Sequence, residues 1–141
     1  MKRILKPIIA VLEIVLGWRI FEWLFWDRRL FRDGAKNVGS AEAAKLIESK
    51  PDLQIVDVRS AREIAGGILP GASHVPIGKP EFEKRAAAGL DLEKPTLVYC
   101  AGGIRSRKAV AAMKELGFGE LYNLHRGFLS WNLGRGETEK S

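Results

Sequence analysis

A single cysteine, Cys100, two histidines and two methionines are all that this 141-residue chain has of thiol, imidazole and thioether side chains. One thiol cannot close a disulfide within the chain, and no Cys/His cluster has zinc-ligand spacing. Any disulfide chemistry at Cys100 must therefore involve a second molecule, and neither a metal nor a cofactor is expected. Internal repeats and low-complexity tracts are lacking as well, so nothing points to a repeat array. What is present is ordinary: 46% hydrophobic and 28% charged residues, enough to build one globular core with an appendage.

The net charge of +6 is unevenly spread. Residues 1–36 carry eight Lys/Arg against four acids, and the rest of the chain is nearly balanced, with 15 against 13. A nucleic-acid binder would carry its basic patch on the folded domain, so no nucleic-acid partner is expected. The excess lies instead beside three of the four tryptophans, in and around the apolar run "ILKPIIAVLEIVLGWRIFEWLFW" at 4–26. Trp and Phe with flanking Lys/Arg are marks of a membrane interface, so residues 1–33 are expected to form a hydrophobic helix that attaches the chain to lipid. No small-x-small cleavage site follows the run. Its Ile, Leu, Val and Phe side chains favour insertion by roughly 5 kcal/mol, and Glu13, Arg19 and Glu22 oppose it by a similar sum. Spanning and lying in the interface are thus closely matched, and a run of about 20 residues tips the balance toward a span. Basic residues at both ends orient it only weakly, toward a cytoplasmic domain at the inner or plasma membrane. The alternative is a helix packed on the domain or on a second copy of it.

The boundary falls near Gly34, leaving 34–141 as the folded domain. Ser40 reads as the N-cap of a helix that Pro51 ends. "LQIVDV" (53–58), "HVPI" (74–77), "TLVYC" (96–100) and "ELYNL" (120–124) read as strands. "EFEKRAAAG" (81–89), "RSRKAVAAMKELG" (105–117) and "GFLSWNL" (127–133) read as helices. Short apolar strands without alternating polarity, interleaved with helices, predict an α/β fold with a parallel sheet covered on both faces.

In such sheets ligands bind beyond the carboxyl ends of the strands, and Cys100 stands at one of those ends. Gly102 and Gly103 allow the loop to curl so that its N–H groups point inward as an anion nest. The following helix N-terminus and Arg105 add positive charge. Thiols in such settings fall from about 8.5 to roughly 3.5–7.5 in pKa. The plain structural reading, a small buried residue before an ordinary glycine turn, does not account for Gly-Gly-x-Arg-Ser leading straight into a helix.

"CAGGIRS" resembles the active-site loop of the rhodanese family, C-x-x-G-x-R-S, at Cys100, Gly103, Arg105 and Ser106. "VDVRSAREIAGGILPGASHVP" (56–76) is similar to the family's D-V-R, E-x-x-x-G and P-G-A elements, through Asp57, Val58, Arg59, Glu63, Gly67, Pro70, Gly71, Ala72, Val75 and Pro76. "LHRGFLSW" resembles the closing L-x-G-G-x-x-x-W, with Gly127 and Trp131 kept. The resemblance spans about residues 36–133. Two departures stand out: Ile68 replaces a common His, and Arg126 replaces the first closing glycine. Ile68 removes a structural hydrogen bond, and Arg126 changes the charge near the loop mouth.

The resemblance implies sulfurtransferase chemistry. Cys100 would be the nucleophile and Arg105 the second catalytic residue, with Ala101, Gly102, Gly103, Ile104 and Ser106 cradling a persulfide. The implied partners are a small-molecule sulfane donor and a thiol acceptor, which extends to a protein sulfur acceptor. Arg59 and Glu63 are near enough in sequence to pair and hold the turn after their strand, and His74 and His125 read as ordinary polar residues. Related phosphatase and arsenate-reductase loops have Cys-x5-Arg; here the arginine falls one residue short, which disfavours phosphatase activity. Rhodanese folds also serve as non-catalytic binding or scaffold modules, usually after losing the cysteine, so a membrane-attached module is the alternative reading.

Overall fold

The computed structural model describes residues 35–134 and Gly17. The chain divides into two units, Met1–Asp33 and Gly34–Ser141, and apart from Gly17 the described residues fall in the second. The hydrophobic helix expected over 1–33 lies outside the described residues. Among the described residues, no helix is long and apolar enough to cross a membrane.

Five parallel strands form one sheet in the order β1-β5-β4-β2-β3. They are β1 Ala35–Val38, β2 Gln54–Asp57, β3 Ala72–His74, β4 Thr96–Tyr99 and β5 Leu121–Leu124. Between them run the helices α1 Ser40–Ser49, α2 Ala61–Ile64, α3 Phe82–Gly89 and α4 Ile104–Glu115, and α5 Gly127–Gly134 follows β5. Because successive strand residues face opposite sides, Ile55, Leu97, Tyr99, Tyr122, Leu124 and Val38 share one face and pack with Ala43 of α1 and Trp131 of α5. Val56, Val98 and Leu121 turn to the other face, and α4 packs against β4 and β5 with Ala109, Val110 and Met113 buried. Burial on both faces explains why these strands read as continuous apolar runs.

Several local expectations shift. β1 was not foreseen, since "AKNV" has two exposed polar residues between its buried ends; its pairing with β5 makes it a strand. The N-cap of α1 is Gly39, and Ser40 is the first helical residue, its hydroxyl 3.0 Å from that of Ser130 on α5. β3 lies earlier than "HVPI" and overlaps it only at His74, because its ladder to β2 pairs Ile55 with Ala72 and Asp57 with His74. The one-turn α2 is added by a capping box in which Ser60 and Glu63 bond reciprocally, which satisfies otherwise orphaned N–H groups.

The strand order places the site. From β2 the chain moves outward to β3, and from β4 it moves the opposite way to β5. β2 and β4 are neighbours, so their carboxyl ends flank a switch point, where open parallel sheets bind ligands. Asp57-Val58-Arg59 leaves β2 there, and Cys100 leaves β4.

Candidate active site

Cys100 is 1% exposed, one residue past β4. The backbone reverses at Gly103, whose φ of 96° marks the left-handed region that glycine enters without steric cost. The Gly103 N–H then donates to Cys100 Sγ at 3.0 Å. Burial pushes the Cys100 thiol up, but the Ser106 hydroxyl and the N–H groups of Ser106, Gly103 and Gly102 together outweigh it, and its pKa lies below the ordinary thiol value. The Ser106 hydroxyl is itself buried and has no partner in hydrogen-bonding geometry, so its dipole is open to the sulfur. The N-terminus of α4 adds to the same field.

What turns the loop's N–H groups inward is the start of α5. Phe128 N–H donates to Cys100 O at 2.8 Å, and Leu129 N–H to Ala101 O at 3.1 Å. Both carbonyls thus face α5 and leave the interior to donors. The approach is so close that a Cβ on Gly127 would lie 2.2 Å from Cys100 O and 2.7 Å from Ala101 O. Of the expected loop residues, Cys100, Gly103 and Ser106 converge on the sulfur, and Ala101 serves through its carbonyl. Gly102 contributes an N–H but needs no glycine conformation, with nothing within 4 Å of an added Cβ. Ile104 begins α4 with its side chain 71% exposed.

The ion pair expected between Arg59 and Glu63 is not formed, and Arg59 Nη1 reaches only the Glu63 backbone carbonyl, at 3.5 Å. Arg59 folds back on Asp57 instead, with Nη2 2.7 Å from Oδ2 and Nε 3.0 Å from Oδ1, both residues being buried. It also donates from Nη2 to Gly67 O at 2.7 Å and stacks over the Phe128 ring, 3.9 Å from the centroid. A planar guanidinium can bond a carboxylate edge-on and an aromatic ring face-on at once, so Arg59 ties β2, the loop before β3, and α5 together. His74 bonds the Arg59 carbonyl at 2.7 Å, a structural role as expected. Ile68 is half-buried between Gly67 and Leu69, and the Leu69 N–H donates to the Tyr99 hydroxyl at 3.0 Å.

Glu63 belongs to Arg105. The two form a fork, Nη1 to Oε1 at 2.6 Å and Nη2 to Oε2 at 2.7 Å. The Arg105 guanidinium holds the Glu63 carboxyl down at about 2. Arg105 therefore stands at the loop with its charge already matched, which limits the free cationic role expected of it. Glu63 and the α5 contacts were missed as parts of the site. The acid of the E-x-x-x-G element was the signal for Glu63, and the closing-motif glycine at 127 was the signal for the α5 contacts.

A family model described as "Rhodanese-like domain" matches residues 40–133. YqhL of Bacillus subtilis, an uncharacterized protein, is 33% identical over 78 residues, and the match spans 55% of this chain and 60% of that protein's length. The thiosulfate sulfurtransferase GlpE of Coxiella burnetii is 36% identical over 97 residues, covering 68% of this chain and 86% of that protein. Among solved structures, the rhodanese-like domain of an Anabaena protein superposes with a TM-score of 0.67 at 26% identity, over 74% of this chain and 79% of that one.

Proposed function

The chain belongs to the rhodanese-like domain family, and from that premise we propose that it is a sulfurtransferase, moving sulfane sulfur from a donor such as thiosulfate to a thiol or cyanide through a persulfide on Cys100. The observation that carries the reading is the surroundings of Cys100: N–H groups and a hydroxyl converge on a buried sulfur whose pKa is lowered. A merely structural cysteine has no use for them.

The reaction is a double displacement. The Cys100 thiolate attacks the outer sulfur of thiosulfate, the sulfur–sulfur bond of the donor breaks, and sulfite leaves with the bonding pair. Cys100 then carries a persulfide anion, and the inward N–H groups of the loop hold its terminal sulfur. A nucleophilic acceptor, a thiolate or cyanide, takes that sulfur and restores the Cys100 thiolate. The chain has no second cysteine, so the acceptor comes from outside, as a small thiol or a protein thiol. The short loop, with arginine at 105, suits a single added sulfur better than a tetrahedral phosphate.

Mass spectrometry after thiosulfate treatment tests the reading. The expected result is a gain of one sulfur that cyanide removes and that Cys100→Ser lacks. No adduct with any sulfane donor would leave a non-catalytic binding module in its place. We further propose that residues 1–33 attach this domain to the cytoplasmic face of a membrane, which their aromatic and basic composition supports. The full chain should then pellet with membranes and a chain beginning at Gly34 should stay in solution; both remaining in the supernatant at high salt would favour a packed helix or a dimer.

A further inference from the structure

We propose that Arg126 forms an anion subsite at the mouth of the Cys100 loop and holds the oxyanion end of the sulfane donor. The proposal rests on the sulfurtransferase reading of Cys100 and names the donor class that site selects.

Arg126 is the only non-glycine among the described residues with a positive φ, 59°. Side chains with a Cβ are disfavoured there, and backbone strain of this kind concentrates at functional positions. Its place adjoins the loop: a Cβ on Gly103 would come within 3.1 Å of the Arg126 amide nitrogen, and the next residue, Gly127, lies against the Cys100 and Ala101 carbonyls. The Arg126 side chain is exposed, and among the described residues its guanidinium has no ion-pair or hydrogen-bond partner.

The other arginines of the site are occupied. Arg59 is buried on Asp57, and both Nη atoms of Arg105 are held by Glu63. A doubly charged donor such as thiosulfate must bring its sulfonate end to the mouth while its outer sulfur meets Cys100. Of the three arginines described at the loop, Arg126 is the one left to receive it. A guanidinium suits a group with several oxyanion acceptors, and it would also stabilise sulfite as it departs.

The experiment compares two donors in the full-length protein, wild type and Arg126→Gly. Thiosulfate carries an oxyanion end; 2-hydroxyethyl persulfide carries none. Glycine fits the φ at 126, so the melting temperature should hold or rise. Losing a charge-assisted contact should lower kcat/KM for thiosulfate about tenfold or more. The value for 2-hydroxyethyl persulfide should move much less, and Arg126→Lys should restore part of the thiosulfate rate. Glutathione persulfide, whose oxyanions are carboxylates, shows whether the subsite serves oxyanions in general or sulfonates alone. Equal losses with both principal donors, or none with thiosulfate, would overturn the subsite. A wild type that loads sulfur from no donor would instead overturn the sulfurtransferase reading itself.

Discussion

Alanine placed at Gly102, Gly103 and Gly127 in turn should produce a graded series, because the three glycines meet very different surroundings. At Gly102 an added Cβ has nothing within 4 Å, so Gly102→Ala should be nearly neutral. At Gly103 the backbone sits at φ +96 and the new Cβ would lie 3.1 Å from the Arg126 nitrogen. The left-handed conformation alone costs roughly 1–2 kcal/mol for a residue with a Cβ, and the contact adds little if α5 gives slightly. At Gly127 the φ is +56 and the Cβ would meet Cys100 O at 2.2 Å and Ala101 O at 2.7 Å. No side chain can swing aside, since both contacts are backbone. Either the loop moves or α5 does, and with it go the bonds from Phe128 and Leu129. Adding about 1 kcal/mol for each bond to the conformational cost gives on the order of 3–4 kcal/mol. For a domain of this size that is a fall in melting temperature of very roughly 15–25 °C. Thermal unfolding by circular dichroism reads the series directly. Persulfide loading should follow the same order and fail at Gly127→Ala, since a displacement of about 1 Å in a reacting group costs on the order of a hundredfold. Should Gly127→Ala melt with Gly102→Ala, α5 does not clamp the cysteine loop and the account of its inward N–H groups is wrong.

Three further outcomes are expected. Arg59→Ala leaves the Asp57 carboxylate buried without its counter-ion, which costs about 3–5 kcal/mol; denaturant titration should show the loss, and a change under about 1 kcal/mol would refute the role given to that pair. Glu63 has its carboxyl lowered from 4.5 to about 2 in the folded chain, so its contribution is present above pH 4.5 and lost as pH falls toward 2. The pair is partly exposed, with side chains 40% and 33% accessible, so solvent screening limits it to about 1 kcal/mol; Glu63→Gln should flatten the stability profile in that window, and an unchanged profile would dismiss the Arg105 fork. Alkylation of Cys100 should have its midpoint below the ordinary thiol pKa, and Ser106→Ala should move that midpoint up, because the Ser106 hydroxyl favours the thiolate; a downward move would contradict this.

How much of this was legible in the sequence depends on the range of the interaction. Strand and helix alternation is local, and burial on both sheet faces writes it as apolar runs, so β2, β4, β5 and four of the five helices could be read directly. The cysteine loop was legible for the same reason: strand end, Gly103, Arg105 and helix start are consecutive. Edge strands carry less signal. β1 pairs on one side only and keeps polar residues at Lys36 and Asn37, and β3 has three residues whose register is set by β2.

Partner choice among charged groups was decided only by the tertiary fold. Asp57, Arg59, Glu63 and Arg105 are two acids and two bases, and sequence distance favours pairing Arg59 with Glu63. The fold reverses that choice. It buries Arg59 against Phe128, where only Asp57 can neutralise it, and it brings Arg105 across 42 positions of sequence to Glu63. A buried charge takes whatever counter-ion the packing places beside it, and packing is settled by residues far apart in the chain. So it is with Arg126: the sequence shows an arginine where the resembled motif has glycine, and only the fold shows that its backbone stands at φ 59° against Gly103.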